Sequence, residues 1–342
     1  MDVSADGAVV AGFGSGSPYV WSTSGGLVPI PGLSGSSAEV ASGISGDGTT
    51  VVGWGEGQAF RWTASTGTVW LGYLPGIKVT SEAWATSFFG DVVVGQANTY
   101  DPQCDCNGTV EGFRWTEATG MIGLGGLPGE SVWSWASDIS ADGSRIAGSA
   151  LSGGSNHAVI WDADDGVILL GAGNFSAGGI SSDGSTAVGE SNGLAARWSL
   201  VSGVEFLGGL DGWQRSEAQA ASADGRVVVG GFISPDGQDY GPGFIWDDVN
   251  GMRSVQEVLE SAGLNLDGMI LHEARSISDD GLTVVGWGTN SLGATRAWIA
   301  VIPEPNTGLL VMTGLLGLAY RQRRYGRAAH EVRTALPGPA ES

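Results

Sequence analysis

The chain repeats one pattern seven times, and this repetition limits the folds it can adopt. Each unit has a glycine that closes a Val-Val-Gly-like element, and a tryptophan follows it. Successive glycines are 41, 42, 53, 41, 41 and 56 residues apart. Repeats of about 20–50 residues are typical of propellers and solenoids. The glycines are Gly12, Gly53, Gly95, Gly148, Gly189, Gly230 and Gly286, and the tryptophans are Trp21, Trp62, Trp115, Trp161, Trp198, Trp246 and Trp298.

Each unit reads as four short strands rich in Val, Ile, Trp and Phe. In the second unit we expect strands at 39–45, 49–54, 58–63 and 68–74. Asp-Gly pairs mark the first turn, which predicts tight hairpins with positive φ at both central residues. The third unit has Phe89-Gly90-Asp91 there instead. The sequence therefore predicts an all-β, seven-bladed β-propeller of about 41-residue repeats over residues 1–302, with a β-solenoid as the alternative.

Two further features of the repeat domain predict how its parts pack together, one between the blades and one beside or inside the propeller. Phe60 and Trp62 of the third strand are expected to pack between blades. A helical insertion is predicted near 254–263, because Ser254 and Glu257 have the spacing of a capping box. We expect this helix to plug or flank the propeller, and partner docking is the alternative.

The repeated motif has a relative among bacterial proteins. In the second unit it reads "SGDGTTVVG", then "AFRW", then "LGYLPG". This pattern resembles the bacterial extracellular repeat named HAF, over about 300 residues. The resemblance implies an extracellular repeat protein, and it implies no defined activity.

The C-terminal part has a different composition. "VIPEP" at 301–305 precedes an uncharged apolar run at 307–320, and four arginines follow up to Arg327. An apolar run with a basic flank predicts a C-terminal transmembrane helix whose arginines face the cytoplasm, although about 14 residues is short of the roughly 20 that span a bilayer. A buried C-terminal helix is the alternative.

These three features in this order resemble a PEP-CTERM sorting signal, which we place at 303–327, with a disordered tail at 328–342. In that family exosortase, a membrane protease-transpeptidase, processes the signal in bacteria that make exopolysaccharide. The resemblance therefore implies an exported protein, anchored in the membrane or on the surface of a Gram-negative-type bacterium. The signal residues are Pro303, Glu304, Pro305, Arg321, Arg323 and Arg324.

Charge supports an extracellular location and excludes one class of partner. The chain has a net charge of −21, and residues 1–302 carry 33 acidic against 10 basic side chains. Such a domain repels nucleic acid phosphates, so we expect no DNA or RNA partner. The chain starts at "MDVSADG", inside the first strand of a unit. We therefore expect an upstream segment to supply a signal peptide and a closing strand.

No catalytic motif occurs in the sequence, so we predict a non-enzymatic protein without a cofactor. His157, His272 and His330 lie far apart. The acidic turns at 162–166 and at Asp236 and Asp239 are expected to be plain turns, with weak calcium binding as the alternative. For Cys104 and Cys106, a plain loop, a local disulfide and a metal site all remain open.

Two sets of side chains are candidates for ligand contacts. Arg61, Arg114 and Arg197 precede the blade tryptophan, and we expect salt bridges to the turn aspartates rather than a ring around the channel. The overall prediction is an exported surface or matrix protein associated with extracellular polysaccharide. The alternatives are a glycan-active enzyme and a carbohydrate-binding propeller that uses Trp133, Trp135 and Trp213.

Overall fold

The computed structural model describes residues 1–14, 17–31, 39–75, 80–101, 106–129, 132–171, 175–199, 201–234 and 240–303, with the backbone alone described for 99–101 and 106–107. The chain divides into two units, Met1–Ile302 and Pro303–Ser342. The fold described below is that of the first unit.

Seven antiparallel sheets follow one another along the first unit, and each takes its strands in sequence order. The first three sheets contain β1 (Asp2–Val3), β2 (Val9–Gly14), β3 (Ser17–Ser22) and β4 (Gly26–Pro29); β5 (Val40–Ile44), β6 (Thr50–Gly55), β7 (Gln58–Thr63) and β8 (Gly67–Gly72); β9 (Thr80–Thr86), β10 (Val92–Asp101), β11 (Cys106–Thr116) and β12 (Gly120–Gly123). The predicted strands of the second unit agree with the observed ones within two residues at each end.

The remaining sheets continue the pattern, and the seventh has three strands among the described residues. They contain β13 (Ser134–Ile139), β14 (Arg145–Ser152), β15 (Ser155–Asp162) and β16 (Gly166–Leu169); β17 (Phe175–Ile180), β18 (Thr186–Ser191), β19 (Leu194–Ser199) and β20 (Gly203–Phe206); β21 (Arg215–Ala221), β22 (Val227–Ile233), β23 (Tyr240–Asp247) and β24 (Gly251–Ser254); β25 (Ile270–Ile277), β26 (Thr283–Thr289) and β27 (Thr295–Val301).

The sheets form a closed ring, because the first strand of each contacts the first strands of its two neighbours, including β1 with β25. The first strands are therefore innermost. A circle of backbone hydrogen bonds joins the adjacent first turns of all seven sheets. The bonds are Ala5 N–H to Gly46 O, Asp47 to Phe88, Phe88 to Ala141, Ala141 to Ser182, Asp183 to Ala223, Ala223 to Asp279, and Asp279 to Ala5, at 2.9–3.1 Å. The predicted seven-bladed propeller is confirmed, and the solenoid alternative is wrong.

In six blades a serine two residues before the aspartate determines the shape of the first turn. In the first blade the Ser4 hydroxyl donates to Asp6 at 2.7 Å and accepts the Val9 N–H at 3.0 Å. The Gly7 N–H donates to the Ser4 carbonyl at 2.9 Å. Gly7 has φ of +70°, whereas Asp6 does not have positive φ. The expectation of positive φ at both central residues is therefore wrong, because the serine side chain stabilises a turn in which the glycine alone is left-handed.

The third blade reaches the same geometry with a different order of residues. Gly90 keeps φ of +72° and donates its N–H to the Ser87 carbonyl. The carboxylate comes from Asp91, after the glycine, and it accepts a hydrogen bond from the Ser87 hydroxyl. The interaction between serine and aspartate is thus present in all seven blades.

The hydrophobic core consists of seven clusters, each between two adjacent blades. Trp62 of the second blade packs against a cluster that includes Ala11 and Ile30 of the first, so its predicted role between blades is confirmed. Phe60 is fully buried and packs edge-on against Trp70 of its own blade, with ring centroids 6.2 Å apart.

Trp298 does not occupy the position of the other blade tryptophans. It pairs with Gly286, as Phe60 pairs with Gly53 in the second blade. Ala300 pairs with Val284, and the equivalent pair in the second blade is Trp62 with Val51. The assignment of Trp298 as the seventh repeat tryptophan is therefore wrong, because Ala300, two residues later, has that position. The ring of Trp298 covers Gly286, as the ring of Phe60 covers Gly53.

The helical insertion is close to its predicted position. Helix α1 (Val255–Ser261) has Ser254 as its N-cap, whose side chain accepts the Glu257 N–H at 3.4 Å. Val255 and Leu259 are buried between the sixth and seventh blades. The helix contacts β23, β24 and β25. It therefore flanks the propeller and does not plug it.

Candidate functional site

The inner strands enclose the axis of the propeller, and the ring of first turns constricts one end of it. Ser182 of the fifth blade donates its hydroxyl to the carboxylate of Asp279 of the seventh at 2.5 Å. Because these two blades are not neighbours, this hydrogen bond shows how closely the inner turns approach around the axis.

Two carboxylates lie at equivalent places on inner strands, each two residues before the turn serine. Asp2 accepts hydrogen bonds from the Val3 N–H, the Ile44 N–H of the second blade and the Ser276 hydroxyl of the seventh, at 2.5–2.9 Å. Asp138 accepts the N–H groups of Ile139 and, in the fifth blade, Ile180 at 2.8–2.9 Å. Each carboxylate therefore fastens its inner strand to the next blade.

Asp138 is unlike an ordinary surface aspartate. Burial raises its pKa to about 7, the two backbone hydrogen bonds oppose the rise, and the charge of Asp2 adds to it. A carboxyl group of this kind changes its charge near neutral pH. Asp2 and Asp138 are 136 positions apart in sequence, so only the closed ring brings their charges into interaction.

A second group of charges lies on the inner part of the fifth, sixth and seventh blades. Burial raises the pKa of Glu217, and the neighbouring Glu190 and Glu273 raise it further, against the opposing effect of Arg275 and Arg215. Arg215 pairs with Glu190 at 3.3 Å, and Arg275 pairs with Glu273 at 3.0 Å. We call these five side chains the charged cluster.

Aromatic rings adjoin the charged cluster. The indole N–H of Trp287 donates to Glu273 at 2.8 Å. Tyr240, which is 47% exposed, stands edge-on to Trp287 at 4.8 Å between ring centroids. His272 lies 5.1 Å from the same indole and is held by the Tyr240 carbonyl and the Thr289 hydroxyl. Sequence reasoning missed Trp287 and Tyr240, because neither belongs to a catalytic or binding motif.

The three arginines before the blade tryptophans lie on third strands, so they do not form a ring on the inner strands. Arg197 pairs with Glu205 and Asp248 at 2.8 and 2.7 Å and covers the Trp246 ring. Arg61 donates to the Gly90 carbonyl in the next blade's first turn at 2.7 Å, and its charge helps to lower the pKa of Asp47. The expected salt bridge to a turn aspartate is present for Arg197, through Asp248. Arg61 instead donates to a backbone carbonyl and to the Thr50 hydroxyl. Among the described residues, no ion pair is formed by Arg61 or Arg114.

The three tryptophans suggested for carbohydrate contacts are half-buried and do not form one surface group. Trp135 lies on inner strand β13. Trp213 packs on Phe232 at 6.2 Å and against the core between the fifth and sixth blades. Trp133 precedes β13, and its carbonyl accepts the Leu151 N–H.

The acidic turn at 162–166 is held by internal hydrogen bonds. Asp162 accepts the N–H groups of Asp164 and Asp165 and pairs with Arg145 at 2.7 Å. In the part of the chain that the structure describes, no group of three or more His, Cys, Asp or Glu side chains is placed to hold a metal ion. Asp236, Asp239 and the side chains of Cys104 and Cys106 lie outside the described residues, so weak calcium binding and the state of the cysteines stay predictions.

The sorting residues follow the last strand of the propeller. Ile302 donates its N–H to the Leu282 carbonyl, and Pro303 comes next. Glu304, Pro305, Arg321, Arg323 and Arg324 lie outside the described residues, as does the predicted membrane helix. Among the described helices, none has the length and apolar character needed to span a bilayer.

Comparison with known families matches the PEP-CTERM protein-sorting motif at residues 301–324. This match confirms the sorting motif predicted from the tail. It indicates an exported, membrane-associated protein of the bacterial cell surface that exosortase recognises. Comparison with curated protein sequences gives no match. The HAF resemblance stays a prediction.

Solved structures share the fold at low sequence identity. The oligogalacturonate lyase of Vibrio parahaemolyticus is 11% identical, covers 89% of each chain and has a TM-score of 0.58. A chain in a mitotic checkpoint complex is 15% identical, covers 89% of this chain and 90% of its own length, and has a TM-score of 0.52. TolB from Acinetobacter baumannii is 16% identical, with a TM-score of 0.47 over 70% of this chain, which spans 60% of that protein's length. At these identities the first two similarities support the propeller fold alone.

Proposed function

We propose that this chain is a non-enzymatic bacterial surface protein that exosortase sorts and that associates with extracellular polysaccharide. The observation that carries the proposal is the position of the sorting motif, which begins at Val301, the last residue of the last propeller strand. The sorting motif therefore directly follows the last described strand of the propeller in the chain, so a folded domain and its sorting signal are adjacent in sequence. The excess of acidic side chains in residues 1–302 suits a soluble extracellular domain.

The sorting step can be tested with two matched double variants in an exosortase-producing bacterium. Pro303→Ala/Pro305→Ala changes the motif, and Pro337→Ala/Pro339→Ala changes a second Pro-x-Pro outside it. We expect the first variant to lose processing and surface display, measured by chain mass and antibody labelling of intact cells. The second should behave like the natural chain. Equal behaviour of the two variants would exclude a role for the motif.

Carbohydrate binding is a second candidate function, and the charged cluster with its adjoining aromatic rings favours it. Carboxylates and guanidinium groups supply the donors and acceptors that sugar hydroxyls require. Tyr240 adds a half-exposed ring against which the apolar face of a pyranose can pack. The cluster lies on β18, β21 and β25 of three consecutive blades, and β21 contacts both of the other strands.

Binding is tested by co-sedimentation of the purified protein with the exopolysaccharide of its own host. Tyr240→Ala should weaken binding by at least fivefold. Phe89→Ala, which removes a 69% exposed ring from a first turn, is the control and should bind normally. Equal binding by both variants would locate the contact elsewhere. Release of soluble oligosaccharides during the same incubation would contradict a non-enzymatic role.

A further inference from the structure

The end of the propeller axis at the first turns is closed by side chains. The Phe88 ring covers the turn of the adjacent blade, since a Cβ added to Gly46 would lie 2.3 Å from Phe88 Cδ2. On the other side of the circle of backbone hydrogen bonds, Ser182 and Asp279 join the fifth and seventh blades across the sixth. A polymer therefore cannot pass along the axis through this end. We call the space between the inner strands above this closed end the axial pocket.

Two tryptophans lie on adjacent inner strands, Trp84 on β9 of the third blade and Trp135 on β13 of the fourth. The neighbouring residues Ala83 and Ala136 are fully buried in the core clusters between blades. Both tryptophans are only half-buried. Because successive side chains of a strand point in opposite directions, the two indoles point away from the core clusters and line the axial pocket.

The tryptophans lie at the same depth in the pocket as members of the charged cluster. Trp84 and Arg275 each come three residues before the serine of their first turn. Trp135, Glu217 and Glu273 each come five residues before it. The four inner strands have a bulge at the same place between these two positions. Equal separation from the turn therefore means equal depth.

The tryptophans and the charged cluster face each other across the axis. The tryptophans belong to the third and fourth blades, and the inner-strand members of the cluster belong to the sixth and seventh. The fifth blade separates the two groups on one side of the ring, and the first and second blades separate them on the other. Asp2 of the first blade and Asp138 of the fourth interact through their charges across the same axis. Arg275 is 46% exposed, so solvent reaches the pocket at this depth.

We propose that the axial pocket binds the terminal sugar of a polysaccharide chain and does not bind segments within the chain. This inference rests on the carbohydrate binding proposed above and adds which part of the ligand binds. The indoles of Trp84 and Trp135 offer apolar surface to one face of a pyranose. The carboxylates and guanidinium groups opposite offer partners to its hydroxyl groups. Because the end at the first turns is closed, a chain can enter only with one of its own ends.

Isothermal titration calorimetry with the full chain in detergent tests binding of the chain end. The probe is the exopolysaccharide of the host bacterium, used intact and after sonication to about one tenth of its length, which shortens the chains and keeps the same sugars. We expect the number of proteins bound per gram of polysaccharide to rise about tenfold after sonication, because each chain provides one site. An unchanged number would overturn the inference and leave carbohydrate binding in place. No binding to either preparation would refute both.

Two variants of Trp84 test whether the chain end lies in the axial pocket. Trp84→Ala removes an indole from the wall and should weaken binding of the sonicated fragments at least tenfold. Trp84→Phe keeps an aromatic ring there and should weaken binding less than threefold. Phe206→Ala removes a 51% exposed ring from the outer strand β20 and should have no effect. The inference is overturned if Trp84→Ala binds as well as Phe206→Ala, or if the two Trp84 variants are weakened equally.

Discussion

The backbone N–H of Asp279 donates a hydrogen bond of 2.9 Å to the carbonyl oxygen of Ala5. These residues are far apart in sequence, one in the seventh blade and one in the first. Their bond completes the circle of backbone hydrogen bonds around the inner turns. Because the core cluster between these two blades is small, this contact should matter more for ring closure than the equivalent contact between other blades.

Gly7→Ala tests this closure. Gly7 has φ of +70°, and an added Cβ would lie 2.4 Å from Thr283 Oγ1 in the seventh blade. Gly26 has φ of +66° and open space around it, so Gly26→Ala is a control for backbone strain alone. We expect Gly26→Ala to cost about 1 kcal/mol and Gly7→Ala about 2–4 kcal/mol, in urea unfolding followed by tryptophan fluorescence. Equal losses of unfolding free energy in the two variants would show that the contact between the first and seventh blades tolerates the extra methyl group.

Ser45→Ala tests the side chain that shapes each first turn. The buried Ser45 hydroxyl donates to Asp47 at 2.6 Å and accepts the Thr50 N–H at 2.9 Å. Its removal leaves a buried N–H without its acceptor, so we expect a loss of about 1–3 kcal/mol in the free energy of unfolding. Ser24→Ala, at an exposed turn, should change it by less than about 0.5 kcal/mol. A result for Ser45→Ala within the range of Ser24→Ala would refute the role of the hydroxyl.

These turns show how far sequence reasoning reaches. The repeat spacing predicts the number of blades, because each unit must bury its faces against neighbours. Asp47-Gly48 predicts a turn at the right place. Its conformation was predicted wrongly, since the deciding hydrogen bond comes from Ser45, which lies outside the two-residue signal. The sequence assigns Trp298 wrongly as the repeat tryptophan for a related reason. Trp298 lies opposite Gly286, two residues before the equivalent position, and only the register of the strand pairing reveals this.

The candidate site was less accessible to prediction than the fold. Asp2 and Asp138 belong to different repeats and have no motif, so only the closed ring brings them together. The same is true of Glu190, Glu217 and Glu273, which come from three consecutive blades. The sorting motif could be predicted because all its parts lie within about 25 residues.

The contribution of Asp138 to the stability of the protein should fall as the pH rises from about 4 to 7. The pKa of Asp138 is about 7 in the folded chain and near 4 when unfolded, so the folded state binds more protons in this range. The full shift corresponds to roughly 4 kcal/mol, and we expect about 2 kcal/mol because this half-buried carboxyl retains some access to water.

Urea midpoints between pH 4 and 8 measure this effect. Asp138→Asn should flatten the decline, whatever its effect on stability at a single pH. Asp164→Asn, at an exposed turn, should retain it. An unchanged slope in Asp138→Asn would assign the pH dependence to another group.

The location of the propeller relative to the membrane tests the central claim most directly. Intact cells that carry the full chain can be treated with a protease, with and without a functional exosortase gene, and the propeller followed with an antibody. We expect the propeller to be digested from outside in exosortase-producing cells, and the chain to remain unprocessed and inaccessible when exosortase is absent. A propeller that is protected in intact cells of both strains would contradict the account.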